Sequence, residues 1–342
     1  TPMLSQTLLD PLQAKSVQFA YCHDRPLQCV ATRYTLEACD PEGFTFIFAS
    51  GISLCQDTWL PVIKQLFRLS SESFRVHSAW VVERPNHGEA ALLNAAALKE
   101  HYSVQFPSLQ YASAIHAFLT SDILSASERK NLVGAGHSGG GGSLIQAVQY
   151  GLRDGHAIPL KSLFLVEAPI VGPEVWPYLA LMYDGVKRSN ARRTSSWPSK
   201  QVAMKWFQTH TPWKSFSPDV LRIVEDTYFM PDPGRPGFIT TKTTVEQETA
   251  CFVDNGTQLL AGPFLRTILD QLPTHTIEGT LQDIWPPAVY DLIAVNRAEA
   301  RDQLASIAFV NDVGHYLPVV KPHQVATRIF EMLRPPLVPS KL

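Results

Sequence analysis

The chain lacks any apolar run approaching the ~18 residues that a membrane-spanning helix needs, and it lacks HExxH or a clustered His/Asp ligand set, which speaks against a metal hydrolase. No Walker lysine follows its glycine-rich turns, no CxxC pair appears, and no repeat or low-complexity tract interrupts it. An excess of one charge is also missing: 29 basic residues stand against 31 acidic ones, a formal net charge of −2. Such a balance gives no global field to draw the protein onto nucleic acid or an anionic bilayer, so any anion site must be local. The five cysteines (Cys22, Cys29, Cys39, Cys55, Cys251) are odd in number and read as reduced thiols in a reducing compartment. No charged-then-apolar signal peptide opens the chain, Met3 behind Thr1-Pro2 reads as the native start, and nothing calls for a bound cofactor.

What is present is enough chain for a large core. At 342 residues, 45% hydrophobic and 18% charged, the sequence is globular in composition, and about 2.3 times a typical ~150-residue domain. Two domains, or one with an insertion, are expected. Thr45 to Ser50 and Arg75 to Val82 are short apolar runs ending at Gly51 and before Pro85, the mark of buried strands. Between them Trp59, Val62, Ile63, Leu66 and Phe67 fall at helical spacing. Asn131 to Gly136, a helix over Ser143 to Leu152, and Lys161 to Val166 repeat the unit. This alternation implies a mostly parallel sheet with helices on both faces. From about Gly172 to Phe264 the rhythm fails, with tryptophans, prolines and basic residues among helical fragments. That segment, 172–264, reads as a helical cap inserted into a core made of 1–171 and 265–342. Thr274 to Gly279 and Ser306 to Asn311 are the expected last strands, and Pro322 to Leu333 the closing helix.

Gly136-His137-Ser138-Gly139-Gly140 fits G-x-S-x-G where a strand gives way to a helix. The glycines allow a tight turn that lifts a serine hydroxyl above the sheet edge, and the amide of Gly139 at the helix start can meet a developing oxyanion. A serine needs a base, and the base an orienting carboxylate. His315 lies beyond the final expected strand, where the order Ser, acid, His would place it. His137 flanks the serine and reads as packed or pocket-lining. Two acids compete: Glu167 directly after the strand that follows the serine, and Asp283 after Gly279. Glu167 is favoured, because a carboxylate behind Leu163-Phe164-Leu165-Val166 is costly to bury unless paired. Ser50-Gly51-Ile52-Ser53 should supply the second oxyanion donor, with Ile52 N–H the candidate. The chain stops at Ser340-Lys341-Leu342, which as a terminal tripeptide is an address read by the peroxisomal import receptor.

This pattern resembles the α/β-hydrolase superfamily across nearly the whole chain. More closely, it is similar to the fungal peroxisomal hydrolases of secondary metabolism, a group that includes the mycophenolic-acid pathway acyl-CoA hydrolase and the AK-toxin biosynthesis hydrolase. Phe46 to Ile52, Gly136 to Gly140, Leu163 to Pro169, Trp197-Pro198-Ser199, Gly314-His315 and the terminal Ser340-Lys341-Leu342 carry the likeness. The resemblance implies an α/β-hydrolase fold with a cap, and a triad acid just after the strand that follows the nucleophile, hence Glu167. The expected reaction is hydrolysis of an acyl ester or thioester through an acyl-enzyme.

A CoA thioester would need cations at the pocket mouth. Lys187, Arg188, Arg192, Arg193 and Lys200 form the densest basic cluster, although an exposed charge run is usually a solvated face. Trp176 and Trp197, among several cap aromatics, are candidates to line an acyl pocket. Two rival readings keep the fold: a non-hydrolytic cyclase or lyase that uses the same histidine without covalent capture, and a ligand-binding protein on the hydrolase scaffold.

Overall fold

Strands that sit in the middle of a parallel sheet must be apolar on both faces, and two runs of the chain meet that demand: Phe44–Ala49 and Val76–Val82 are buried almost throughout. The computed structural model describes residues 4–253 and 256–334; Ser340-Lys341-Leu342 and the prolines ahead of it lie outside them. Among the described residues the strands are β1 Gln13–Cys22, β2 Pro26–Thr35, β3 Phe44–Ala49, β4 Val76–Val82, β5 Leu132–His137 and β6 Leu160–Val166. They continue with β7 Ser196–Trp197, β8 Phe229–Pro231, β9 Ile239–Thr241, β10 Thr274–Gly279 and β11 Ser306–Val310.

Eight of them form one sheet in the order β1-β2-β4-β3-β5-β6-β10-β11. From β4 to β11 the pairings are parallel, while β1–β2 and β2–β4 are antiparallel. Successive side chains of a strand face opposite ways, so β3 feeds two cores. Phe46 and Phe48 pack with Trp59, Ile63 and Ile329 under the helices Leu60–Arg68 and Pro322–Leu333. Ile47 and Ala49 pack with Tyr111, Ile115 and Leu144 under Ser108–Thr120 and Gly139–Arg153. The helix expected from Ser143 starts four residues earlier, directly behind Ser138. The antiparallel pair β1–β2, which the sequence reading leaves out, extends the sheet at its amino-terminal edge.

Residues 172–264 lie between β6 and β10 and, unlike the helical segment expected there, are not wholly helical. Three short strands form a second, antiparallel sheet in the order β7-β9-β8. Trp197, Phe207, Trp213 and Val220 make a core that also takes in Leu54, Cys55 and Val319, so this segment sits over the loop that follows β3. A second contact joins Val175 and Leu179 to Val289 and Ile293 of the helix Pro287–Ala300.

The helix Gly139–Arg153 docks unusually close to the sheet, and glycines make that possible. A Cβ on Gly136 would stand 2.4 Å from the Cα of Gly141, and one on Gly140 would stand 2.4 Å from the carbonyl oxygen of Ala49. Neither neighbour is a side-chain tip that could swing away. Gly140→Ala is therefore expected to lower stability by about 1–3 kcal/mol through overpacking. A denaturant midpoint equal to that of the wild type would contradict this account of the docking.

Candidate active site

β5 ends at His137 and the next helix begins at Gly139, so Ser138 makes the turn by itself. Its φ of 51° and ψ of −128° lie where a non-glycine residue costs about 1–3 kcal/mol. The turn is held by Ser138 N–H donating to Val166 O (3.1 Å) and Gly141 N–H donating to Ser138 O (3.0 Å). Ser138 Oγ consequently stands 3.0 Å from Nε2 of His315.

His315 belongs to the loop after β11 and is buried. Both sides of its backbone are tied down: its N–H donates to Asp283 Oδ1 at 2.9 Å, and its carbonyl accepts from His137 Nε2 at 2.8 Å. Trp285 packs edge-on against the ring at 4.6 Å between centroids, a contact that sequence reasoning missed although Trp285 lies two residues past Asp283. On the far side of the ring, Nδ1 faces Oε2 of Glu167 at 3.6 Å. This is longer than a hydrogen bond but within reach of a charge pair, and such contacts commonly tighten once substrate binds. Glu167, the first residue after β6, also has a positive φ, 48°, and its Oε1 accepts from Gly279 N–H at 2.5 Å. The two competing acids thus divide the work: Glu167 faces the imidazole, and Asp283 anchors the main chain that carries it.

Burial dominates the electrostatics. Desolvation raises the Glu167 carboxyl from 4.5 to about 7; the Gly279 N–H opposes the rise and Asp283 adds to it. Desolvation lowers the His315 imidazole to about 4, against the pull of Asp283, so the ring is a neutral base at neutral pH. His137 falls to about 3 for the same first reason, with His315 as its neighbour.

The loop after β3 lies against the turn. A Cβ on Gly51 would stand 3.1 Å from Ser138 Cβ and 2.7 Å from His137 Nδ1. Ser53, with φ 73°, donates its N–H to His87 Nε2 at 3.0 Å, while no acceptor among the described residues takes Ile52 N–H. The amide of Gly139 is one of the first-turn donors that a helix leaves unused. A cavity of about 100 Å³ opens at Ser138 and Gly139 and runs past Ile145, Val171, Leu179 and Leu259. A larger one, about 520 Å³, is lined by Ser53 of this loop together with Arg192, Trp213, Ile284 and Tyr316.

With this geometry in view, the sequence comparison is decisive at the level of family: residues 46–328 match the model of the alpha/beta hydrolase family. The chain belongs to the alpha/beta hydrolase family. Solved structures of this fold include the peroxisomal alpha-beta-hydrolase Lpx1 from Saccharomyces cerevisiae, 16% identical, with a TM-score of 0.73 over 97% of this chain and 93% of that one. The thioesterase domain from the curacin biosynthetic pathway is 16% identical, with a TM-score of 0.62 over 92% and 99%. An esterase from Thermogutta terrifontis is also 16% identical, with a TM-score of 0.56 over 93% and 98%. No curated protein matches the sequence. No helix among the described residues is long and apolar enough to cross a membrane.

Several residues expected at the substrate stand elsewhere in this alpha/beta hydrolase. His137 is 1% exposed, packed beneath Gly51 and bonded to the His315 carbonyl, so it is not pocket-lining. Trp197 is buried in the aromatic core of the 172–264 segment and lines only a small void of about 20 Å³ away from Ser138. Trp176 packs edge-to-face on Tyr183; the tyrosine, and not the tryptophan, lines the cavity at Ser138. Arg193 is not a free cation: it forms two 2.7 Å bonds with Glu248 and lies over Trp213. Arg192 is exposed and lines the larger cavity. Gly134, Gly136 and Gly139 also spell G-x-G-x-x-G, the spacing of a dinucleotide turn; the positive φ of Ser138 and its His315 contact separate this turn from that use.

The raised Glu167 carboxyl makes a stability prediction with a definite sign. Between pH 4.5 and about 7 the native state holds a proton that the unfolded chain releases, so stability falls as pH rises through that window. Glu167→Gln, which keeps an acceptor for Gly279 N–H, removes this fall. Thermal melts should show the variant more stable than the wild type above pH 7, with the difference fading toward pH 4.5; a variant less stable at pH 8 would contradict the assignment.

Proposed function

We propose that the protein is a serine hydrolase that cleaves an acyl ester or thioester through an acyl-enzyme. Ser138 attacks the carbonyl, His315 takes its proton and later returns it to the leaving group, and Glu167 stabilises the imidazolium. The amides of Gly139 and Ile52 receive the oxyanion. The observation that carries this reading is the 3.0 Å approach of Ser138 Oγ to His315 Nε2 at a positive-φ turn, with Glu167 across the ring.

The acyl chain fits the apolar cavity that starts at Ser138, and the leaving group the larger one lined by Ser53. The segment 172–264 acts as the cap that closes both. A thioester as long as an acyl-CoA suits the larger cavity, with Arg192 at its wall to meet a phosphate; Arg193, already paired, serves the cap instead. The Ser340-Lys341-Leu342 terminus supports delivery to the peroxisome by its import receptor. No cofactor enters this mechanism.

A hydrolysis screen of acyl-CoAs against matched methyl esters, with Ser138→Ala as the blank, tests the reading. Turnover of at least one series should fall roughly 10⁴-fold or more in Ser138→Ala. Product formed at an unchanged rate by that variant, or a product that has not taken up water, would overturn it.

A further inference from the structure

Among the described residues two Lys or Arg side chains are buried, Lys242 and Arg84. Lys242 pairs with Glu89 at 2.5 Å, as the half-buried Arg193 and Arg33 pair with Glu248 and Glu128, each at 2.7 Å. Arg84, immediately after β4, is 2% exposed and has no ion pair or hydrogen bond from its guanidinium to any described residue; its Nε is fully buried without a partner. Its sequence neighbour Glu83 is turned to another task, accepting from Gln56 N–H at 2.9 Å. Beneath the guanidinium lies the ring of Tyr111, 4.5 Å to the centroid. The Tyr111 hydroxyl is already occupied, donating to Val82 O and accepting from Ser50 N–H.

The position of this charge is what gives it meaning. Arg84 Nη2 is 3.4 Å from where a Cβ on Gly139 would stand, and beyond the adjoining residues no other atom comes within 4 Å of that point. Gly139 follows the proposed nucleophile and shares its cavity. Ser50, whose N–H holds the Tyr111 hydroxyl, adds a buried Oγ that also lacks a partner. A lone guanidinium shut away from water is costly unless an anion joins it, and its planar fork of donors suits a carboxylate.

We propose that Arg84 is the receptor for a carboxylate that the substrate carries close to its scissile carbonyl. The proposal rests on the reading of Ser138 as the nucleophile and deepens it: the substrate is an anionic ester or thioester, with the carboxylate on either the acyl or the leaving-group side of the bond.

Two substrate pairs distinguish the sides. Succinyl-CoA against butyryl-CoA places the carboxylate on the acyl group; the butyrate ester of glycolic acid against ethyl butyrate places it on the leaving group. The wild type is expected to favour the anionic member of one pair by roughly 10- to 100-fold in kcat/KM, the range of a charge-assisted hydrogen bond. Arg84→Met should bring that ratio to within about threefold, and Arg84→Lys, a point charge without the fork, should keep part of it. No preference in either pair, or a ratio that Arg84→Met leaves unchanged, overturns the proposal. A binding measurement stands apart from turnover and from the folding of the variants: succinate should raise the melting temperature of the wild type above that in its neutral diamide, succinamide, at matched ionic strength, and equal melting contradicts the site. Hydrolysis without any anionic preference would leave the serine hydrolase reading intact and remove only Arg84, whereas a succinate-specific melting shift in a chain that hydrolyses nothing would do the reverse.

Discussion

Ser138 and His315 are 177 positions apart in the chain, and the sheet does not bring them together unaided. The serine follows β5 and the histidine follows β11, with β6 and β10 between them; three strand spacings of ~4.8 Å separate the two strand ends. The loop after β11 must therefore reach back over the sheet edge and be held there. Asp283 holds its N–H side and His137 its carbonyl side, one from the loop after β10 and the other from the end of β5. Remove either tether and the imidazole loses its fixed distance to the hydroxyl. The strained turn at Ser138 and the glycine contacts behind it supply the other half of the geometry.

The same burial that fixes these positions sets their charge. Glu167 and His315 are both pushed toward their neutral forms by desolvation, so the carboxyl keeps its proton up to about pH 7 while the imidazole has already lost its own. A neutral imidazole poised against a serine is what general-base chemistry needs. The arrangement is also a liability for folding, since a carboxylate is kept in a place where charge is costly.

Much of this was legible in the residues. β10 and the closing helix Pro322–Leu333 match their expected limits, and the elbow sits where Gly136 and Gly139 flank Ser138, because short apolar strands and a glycine-rich turn leave strong local marks. The β1–β2 hairpin was missed even though Val17, Phe19 and Tyr21 alternate and Asp24-Arg25-Pro26 marks the turn; the strand is an edge, and its polar outward residues dilute the pattern. In the cap, periodicity could not reveal that Trp197 faces its own core or that Arg193 is spoken for by Glu248, 55 residues away. Arg84 did leave a signal: a charged pair, Glu83-Arg84, directly after a strand buried along its whole length and before Pro85. Its missing partner became visible only once the surrounding chain was in place.

The central claim is that the hydroxyl at the elbow becomes covalently acylated. Rapid-quench mass spectrometry of the full chain during turnover of an acyl thioester tests it most directly. The account predicts a transient gain of one acyl group on the peptide that carries Ser138; sustained hydrolysis with that peptide unmodified at every quench time would contradict it.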